Sequence, residues 1–394
     1  MGSDDGRKSH FLLLPRKITP VLLSWRTLRY LIVSCLLIIF ASLVLPPPEL
    51  MSAATFSYDP SRLPPQCLET AESFQHCQQR TTENGSVRPT WVMACHRKWC
   101  NRAGHCEPCG GIGDRTRFLL SQVQDAAQRC MRIQLDYPVS NIAILKSVVY
   151  QDKYGWLAEL LRFRAYDVSD RRPPPIKLSN APAETKGLDI APGTTFYTHF
   201  TPHQYLLHEY NPCYFHIIFQ PSASLKHELD RHNAAIGLPS IGIHYRTGDA
   251  AAFGISNRDE RVANDKAIQG LRKMLVCADE LAQNLFPQAQ KGQVTYFVAT
   301  DNAVVKQKLQ KNPEALSDQK IYITETVPGS YLKGLYGDGD AWEELYLLSM
   351  RQGIVANVVP KEYQGQAGKV SYFSILARRI GFMGKFQMME CVLD

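Results

Sequence analysis

The chain has 394 residues, 45% hydrophobic and 21% charged, a globular composition that excludes wholesale disorder, collagen and coiled coil. The net charge of +7 is unevenly placed: six basic and two acidic side chains fall in the first 29 residues, while the other 365 carry 38 basic and 35 acidic. The body therefore lacks the concentrated basic face of a nucleic-acid-binding domain. The basic lead (1–29) runs straight into an uncharged stretch at 31–45, LIVSCLLIIFASLVL. With Tyr30 and the prolines that follow, it approaches the ~17–25 apolar residues of a bilayer span. The basic side predicts an uncleaved signal anchor over 30–46, with 1–29 in the cytosol and the body luminal. A cleaved signal ending near Ser52–Ala54 and a soluble core helix are the alternatives. The long lead argues against the first, and Pro46, Pro47 and Pro48 against the second. Gly6 stands where a myristoylation signal needs Ser or Thr.

Residues 47–90, rich in Pro and Ser up to about Pro65, read as a stem. Ten of the eleven cysteines follow the apolar stretch, and seven crowd into 67–130: Cys67, Cys77, Cys95, Cys100, Cys106, Cys109 and Cys130. Behind a membrane anchor this is a disulfide framework; with His96 and His105 it is otherwise a zinc set, though Cys95-x4-Cys100 is looser than finger spacing. Asn84-Gly85-Ser86 is a glycosylation sequon. A helix is expected over 117–130 from apolar positions near 118–119, 123, 126–127 and 130, and a short strand over 131–137, stopped by Pro138. Residues 214–220 read as a strand and 221–232 as a helix, which closes a first domain at 91–232.

Beyond Gly237 the pattern becomes regular. Strands are expected at 240–245, 294–299, 320–324 and 353–359, alternating with helices at 262–285, 303–311, 341–350 and 371–380. Apolar strands alternating with helices predict a parallel, doubly wound sheet for a second domain at 233–394, with ligand groups in the loops at the carboxyl ends of its strands.

Three such loops carry chemistry. In His244-Tyr245-Arg246-Thr247-Gly248-Asp249, Arg246 offers a planar fork of donors for phosphate oxygens, and Thr247 and Gly248 allow close backbone approach; an Arg246–Asp249 salt bridge explains the same residues structurally. In Ala299-Thr300-Asp301-Asn302, Asp301 suits a ribose or base, and a helix cap explains the pair equally simply. In Ser371-Tyr372-Phe373-Ser374, hydroxyls and free amides at a helix start form an anion site, or a plain N-cap. Gly110-Gly111-Ile112-Gly113-Asp114-Arg115 is a further Gly loop before a helix, without a dinucleotide fingerprint and with no evident strand before it. Asp338-Gly339-Asp340 resembles the paired acids that hold Mn²⁺ in one class of sugar-nucleotide enzymes; it also reads as a turn in which Asp340 caps the helix at 341.

Taken in order, IGIHYRTGD, YFVATDN, DAWEELYLLS and SYFSILA resemble the successive motifs of the GDP-fucose-dependent fucosyltransferases, the α1,2-, α1,6- and protein-O-fucosyltransferase superfamily. The Gly110–Arg115 loop and YFHIIFQPSASLKH (214–227) resemble family segments too. The resemblance spans roughly 110–380. It implies a GT-B fold of two facing Rossmann-like domains, behind the anchor and stem, and inverting transfer of fucose from GDP-fucose to a glycan or glycoprotein. No divalent metal or other cofactor is implied, and the setting is the Golgi or endoplasmic-reticulum membrane. Arg246 would bind the β-phosphate, with His244 and Gly248 shaping its loop and Gly111 and Gly113 facing it. Asp301 would recognise the nucleoside, and Ser371, Tyr372 and Ser374 would complete the phosphate cradle. Residues 358–369 look like an insertion against the family pattern. An inverting transfer needs a general base; Asp249 is preferred, with Asp114, Asp259 and Glu260 as further candidates. The alternatives are a Mn²⁺-dependent GT-A enzyme built on Asp338 and Asp340, and a membrane-tethered glycan-binding protein without catalysis.

Overall fold

The computed structural model describes residues 64–73, 76, 90–94, 98–100, 106–108, 112–138, 161–166, 195–199, 210–247, 260–290, 292–313, 318–325, 337–358, 370–381 and 387–393. All belong to one compact unit, Phe56–Asp394. The anchor stretch at 30–46, the sequon and Cys77, Cys95 and Cys109 lie outside the described residues. Among those described, no helix is long and apolar enough to cross a membrane.

The first half begins with β1 (Thr90–Ala94), followed by a small antiparallel pair, β2 (Lys98–Cys100) and β3 (Cys106–Pro108). Next come α1 (Ile112–Gln128), β4 (Arg132–Pro138), β5 (Leu161–Tyr166) and β6 (Thr195–His199). Its sheet has the order β5-β4-β1-β6, every neighbour parallel. A strand therefore does precede the Gly loop: β1, set apart from it by the β2–β3 pair. Helix α1 begins five residues before the apolar spacing predicts, because Ile112 is itself a core residue, buried with Phe118, Leu119, Val123 and Ala126.

The segment 214–220 forms a helix, α2 (Cys213–Ile218), and not the expected strand; only Phe219 beyond it is extended. All six helical side chains are buried, so the segment shows no polar face, and periodicity cannot separate a short buried helix from a buried strand. Helix α3 (Ala223–Ile236) follows, its first turn capped by Ser222 Oγ, which accepts from the Leu225 N–H at 3.2 Å.

The second half runs β7 (Ser240–Tyr245), α4 (Glu260–Leu285), β8 (Thr295–Thr300), α5 (Ala303–Lys311), β9 (Lys320–Tyr322), α6 (Gly337–Ser349), β10 (Gly353–Asn357), α7 (Tyr372–Gly381) and β11 (Gln387–Cys391). The order β11-β10-β7-β8-β9, all parallel, is a doubly wound sheet with its switch point between β7 and β10. Helix α6 starts four residues early, so Asp340 lies within its first turn and is not its cap; acidic residues suit that turn because they face the positive end of the helix dipole. Strand β11 was unexpected: its half-exposed QMMEC has no alternation, and pairing with β10 creates it.

Packing separates the two faces of this sheet. One core gathers Leu271, Met274, Leu275 and Leu281 of α4 under Ile241, Ile243 and Val298. The other is continuous between the halves, with Phe118, Leu119 and Val123 of α1 in the same cluster as Phe215, Trp342, Leu345, Tyr346, Leu376 and Ile380. Burying each such side chain contributes about 1.5–3 kcal/mol.

Disulfides staple this frame, two of them with both partners among the described residues. Cys67 pairs with Cys213 across 146 residues, and Cys277 with Cys391 across 114; Cys130 is also disulfide-bonded. Cys67 therefore reaches out of the Cys-rich cluster to the start of α2. Among the described residues no group of His, Cys, Asp and Glu is placed to hold a metal ion. Constraining a loop of more than a hundred residues in the unfolded chain stabilises by about 5 kcal/mol in the chain-entropy model. A Cys277→Ala, Cys391→Ala double variant is accordingly expected to lose about 2–5 kcal/mol in urea unfolding. A change below 0.5 kcal/mol would mean that edge strand β11 is held by its ladder alone.

Candidate functional site

At the switch point β7 ends and the chain enters Arg246 and Thr247. The Arg246 N–H donates to Asn357 Oδ1 at 2.8 Å, and Asn357 Nδ2 donates back to the Arg246 carbonyl at 2.8 Å. The Arg246 guanidinium reaches Ser371, its Nη1 donating to the hydroxyl at 3.3 Å. The same hydroxyl accepts from the Phe373 N–H at 3.3 Å, so Ser371 caps α7 and orients the arginine together. The backbone N–H groups of Ser374 and Ile375 close onto the Ser371 carbonyl at 3.0 and 3.2 Å.

His244, the next-to-last residue of β7, is buried. Its Nδ1 lies 2.6 Å from Ser374 Oγ and its ring 5.0 Å from that of Phe373. Burial, reinforced by the Arg246 charge, pushes its pKa down to about 3. The imidazole is thus a neutral strut between β7 and α7 and carries no charge into the site. His216 is a second neutral imidazole: its Nε2 meets the Ile380 carbonyl at 3.0 Å, and burial pushes its pKa down to about 4.

Asp301 and Asn302 divide the work expected of either. Asn302 is the cap of α5, its Oδ1 accepting from the Val304 and Val305 N–H groups at 3.0 Å each. Asp301 Oδ1 instead accepts from the Thr247 N–H at 2.9 Å and its hydroxyl at 3.2 Å, while Oδ2 lies 4.0 Å from Arg246 Nε. The carboxylate holds the loop after β7 and sets a counter-charge beside the guanidinium.

The first half completes the site. An added Cβ on Gly113 would lie 2.7 Å from Phe373 N and 3.0 Å from its Cα, so the first turn of α1 abuts the first turn of α7, backbone to backbone. One turn on, the Arg117 guanidinium stacks 4.2 Å over the Tyr372 ring. Two helix N-termini, each a positive dipole end, therefore meet, that of α7 beside Arg246. Such a place favours an anion with several oxygens to distribute among donors.

The structure brings His244, Arg246, Asp301, Ser371, Tyr372, Ser374 and Gly113 together. Gly111, Gly248, Asp249 and Asp259 lie outside the described residues. Asp114 and Glu260 fall in the first turns of α1 and α4, and Asp338 in that of α6, with side chains outside the described set. Sequence reasoning missed Arg117, whose partner is set by packing between the halves, and Asn357. The available signal for Asn357 was a polar residue closing an otherwise apolar strand at its carboxyl end.

No family model and no curated protein matches this chain. Among solved structures it is similar to the fucosyltransferase NodZ from Bradyrhizobium, at 14% identity and a TM-score of 0.43 over 74% of this chain and 92% of that one. POFUT1 in complex with GDP is similar at 10% identity and a TM-score of 0.44, over 78% of this chain and 98% of that one. Arabidopsis thaliana FUT1 in complex with GDP is similar at 12% identity and a TM-score of 0.45, over 82% of this chain and 74% of that one.

Gly113→Ala is expected to force α1 and α7 apart and cost about 1–3 kcal/mol by overpacking, read as a lower urea midpoint; an unchanged midpoint would show that the contact yields freely. The buried imidazoles set a pH dependence. Both pKa values are depressed in the folded state, to about 3 and about 4, against about 6.5 in the unfolded chain. Their stabilisation is complete above ~6.5 and is lost as pH falls toward the folded values, about 2 kcal/mol per imidazole by pH 5. A His244→Asn, His216→Gln variant should show a flatter fall in unfolding free energy between pH 7.5 and 5 than the parent. Parallel slopes would exclude both residues as its source.

Proposed function

We propose that the chain is a GDP-fucose-dependent fucosyltransferase of GT-B architecture, acting on a glycan or glycoprotein acceptor. One observation carries this reading: the N-termini of α1 and α7 meet beside the Arg246 guanidinium at the switch point of a doubly wound sheet. That arrangement suits a diphosphate, and three of the four ordered motifs that resemble this superfamily supply its residues: Arg246, Asp301 and Ser371. A membrane-anchored body in the Golgi or endoplasmic-reticulum lumen is part of the same proposal, supported by the basic lead and the apolar stretch at 30–46.

In this reading the β-phosphate lies between Arg246, the Ser371 hydroxyl and the positive end of α7, with Gly111 and Gly248 lining it and Gly113 setting how closely α1 approaches. As the sugar–oxygen bond breaks, negative charge grows on the diphosphate, and these fixed donors stabilise it without reorganising. No divalent metal is needed for that step. The nucleoside lies toward Asp301. The acceptor hydroxyl attacks from the opposite side with inversion, its proton passing to a carboxylate for which Asp249 is the preferred residue.

The test is fucose transfer from GDP-fucose, and GDP binding by calorimetry, with chelator present throughout. The parent enzyme is expected to turn over at full rate in chelator. Arg246→Lys should lose about 10²–10³ in rate, or roughly 3–4 kcal/mol, because a point charge cannot follow two phosphate oxygens as a fork does. Near-parental turnover in a folded Arg246→Lys protein would remove the phosphate role. Activity abolished by chelator would favour the Mn²⁺-dependent reading on Asp338 and Asp340.

A further inference from the structure

We infer that Asn357 is a positioning residue of the donor site, acting through the backbone of Arg246; this rests on the function proposed above. Strands β7 and β10 are paired through Gly242–Ile354, Ile243–Val355 and Ala356–His244, after which the ladder stops because the strands part at the switch point. The next two backbone groups needing partners belong to Arg246, and the Asn357 side chain takes both, accepting from its N–H and donating to its carbonyl at 2.8 Å each. A carboxamide presents an N–H donor and a carbonyl acceptor side by side, as a peptide unit does, with a second N–H to spare. Asn357 thus supplies one more rung where no backbone can reach, with its Nδ2 also 3.5 Å from the Val358 carbonyl.

The consequence falls on the guanidinium. Arg246 is the first residue beyond β7, and its side chain is a quarter exposed, reaching Ser371 at 3.3 Å and Asp301 Oδ2 at 4.0 Å, so the direction in which it leaves the chain is set by its backbone anchor. Asn357 is 2% exposed; water cannot replace either bond when the carboxamide is lost, and the freed peptide groups must turn to find partners. Ser, Asp and Gln cannot stand in: Ser is too short for two bonds, Asp lacks the donor, and Gln carries its amide one carbon too far.

The experiment measures GDP affinity by calorimetry and urea midpoints for the parent, Asn357→Ala, Asn357→Asp, Arg246→Ala and the Asn357→Ala, Arg246→Ala pair. In folded Asn357→Ala, Kd for GDP should rise at least tenfold. In Asn357→Asp it should rise further, since a carboxylate would face the Arg246 carbonyl without a donor and add negative charge beside a site meant for an anion. In the double variant, loss of Asn357 should add little to loss of Arg246, because the first acts through the second. Parental affinity in a folded Asn357 variant, with affinity lost in Arg246→Ala, overturns the positioning role and leaves the donor site standing. Failure of both Asn357 variants to fold also overturns it, marking the residue as structural. Parental affinity in Arg246→Ala overturns the function proposed above.

Discussion

The contact on which the site depends is the abutment of two helix starts. Packing brings the first turn of α1 against the first turn of α7 so closely that Gly113 has no room for a Cβ. Both ends carry the positive pole of a helix dipole. Nothing in that electrostatics favours bringing them together. The opposing term is the apolar core shared by α1, α2, α6 and α7, whose burial is worth far more per side chain than the repulsion of two dipole ends. Hydrophobic packing thereby holds in place a charge arrangement that an anion completes.

The cationic side of that junction keeps its charge, and its buried imidazole stays neutral. Arg246 keeps its charge at any pH a folded protein meets, dipole ends are fixed by the backbone, and His244 stays neutral because it is buried against Phe373 and Ser374. A neutral His244 serves the arrangement better than an imidazolium would. A second cation beside Arg246 would repel it, and the bond to Ser374 needs only a ring nitrogen.

Much of the second half was legible because its strands are short apolar stretches ended by recognisable chemistry. SIGIHY, TYFVAT and GIVAN are each buried along their whole length, and between buried strands the caps and turns stand out. The same completeness of burial defeated the reading of α2, where six inward-facing residues leave no face to count. Asp301 and Asn302 are neighbours with opposite duties, one a loop brace and one a helix cap; composition suggested both duties and could not distribute them. Gly113 read as an opening toward ligand and is instead a point of helix–helix contact. Arg117 and Asn357 were beyond reach for one reason: their roles exist only once register and the meeting of the two halves are fixed. Cys213 and Cys391 were equally silent, since each pairs across more than a hundred residues.

Helix α7 is the element that must not move if the cradle is to be ready before ligand arrives, and it is secured at both ends by parts distant in sequence. Its start is held by Gly113, by the Arg117 stack on Tyr372 and by the Ser371 cap. Its far end is held by His216 of α2, which meets the Ile380 carbonyl. Helix α2 is in turn fixed from three sides: by the Cys67 disulfide, by the bond from the Asn211 N–H to Gln124 of α1 at 2.6 Å, and by Phe215 and Phe219 against Trp342 of α6 at 6.1 and 5.2 Å. A short, fully buried helix therefore carries the hold of the Cys67–Cys213 disulfide to the far end of α7, while α1 holds its start directly. Donors fixed in this way need not reorganise as charge develops, the condition under which electrostatic stabilisation contributes most to a transfer reaction.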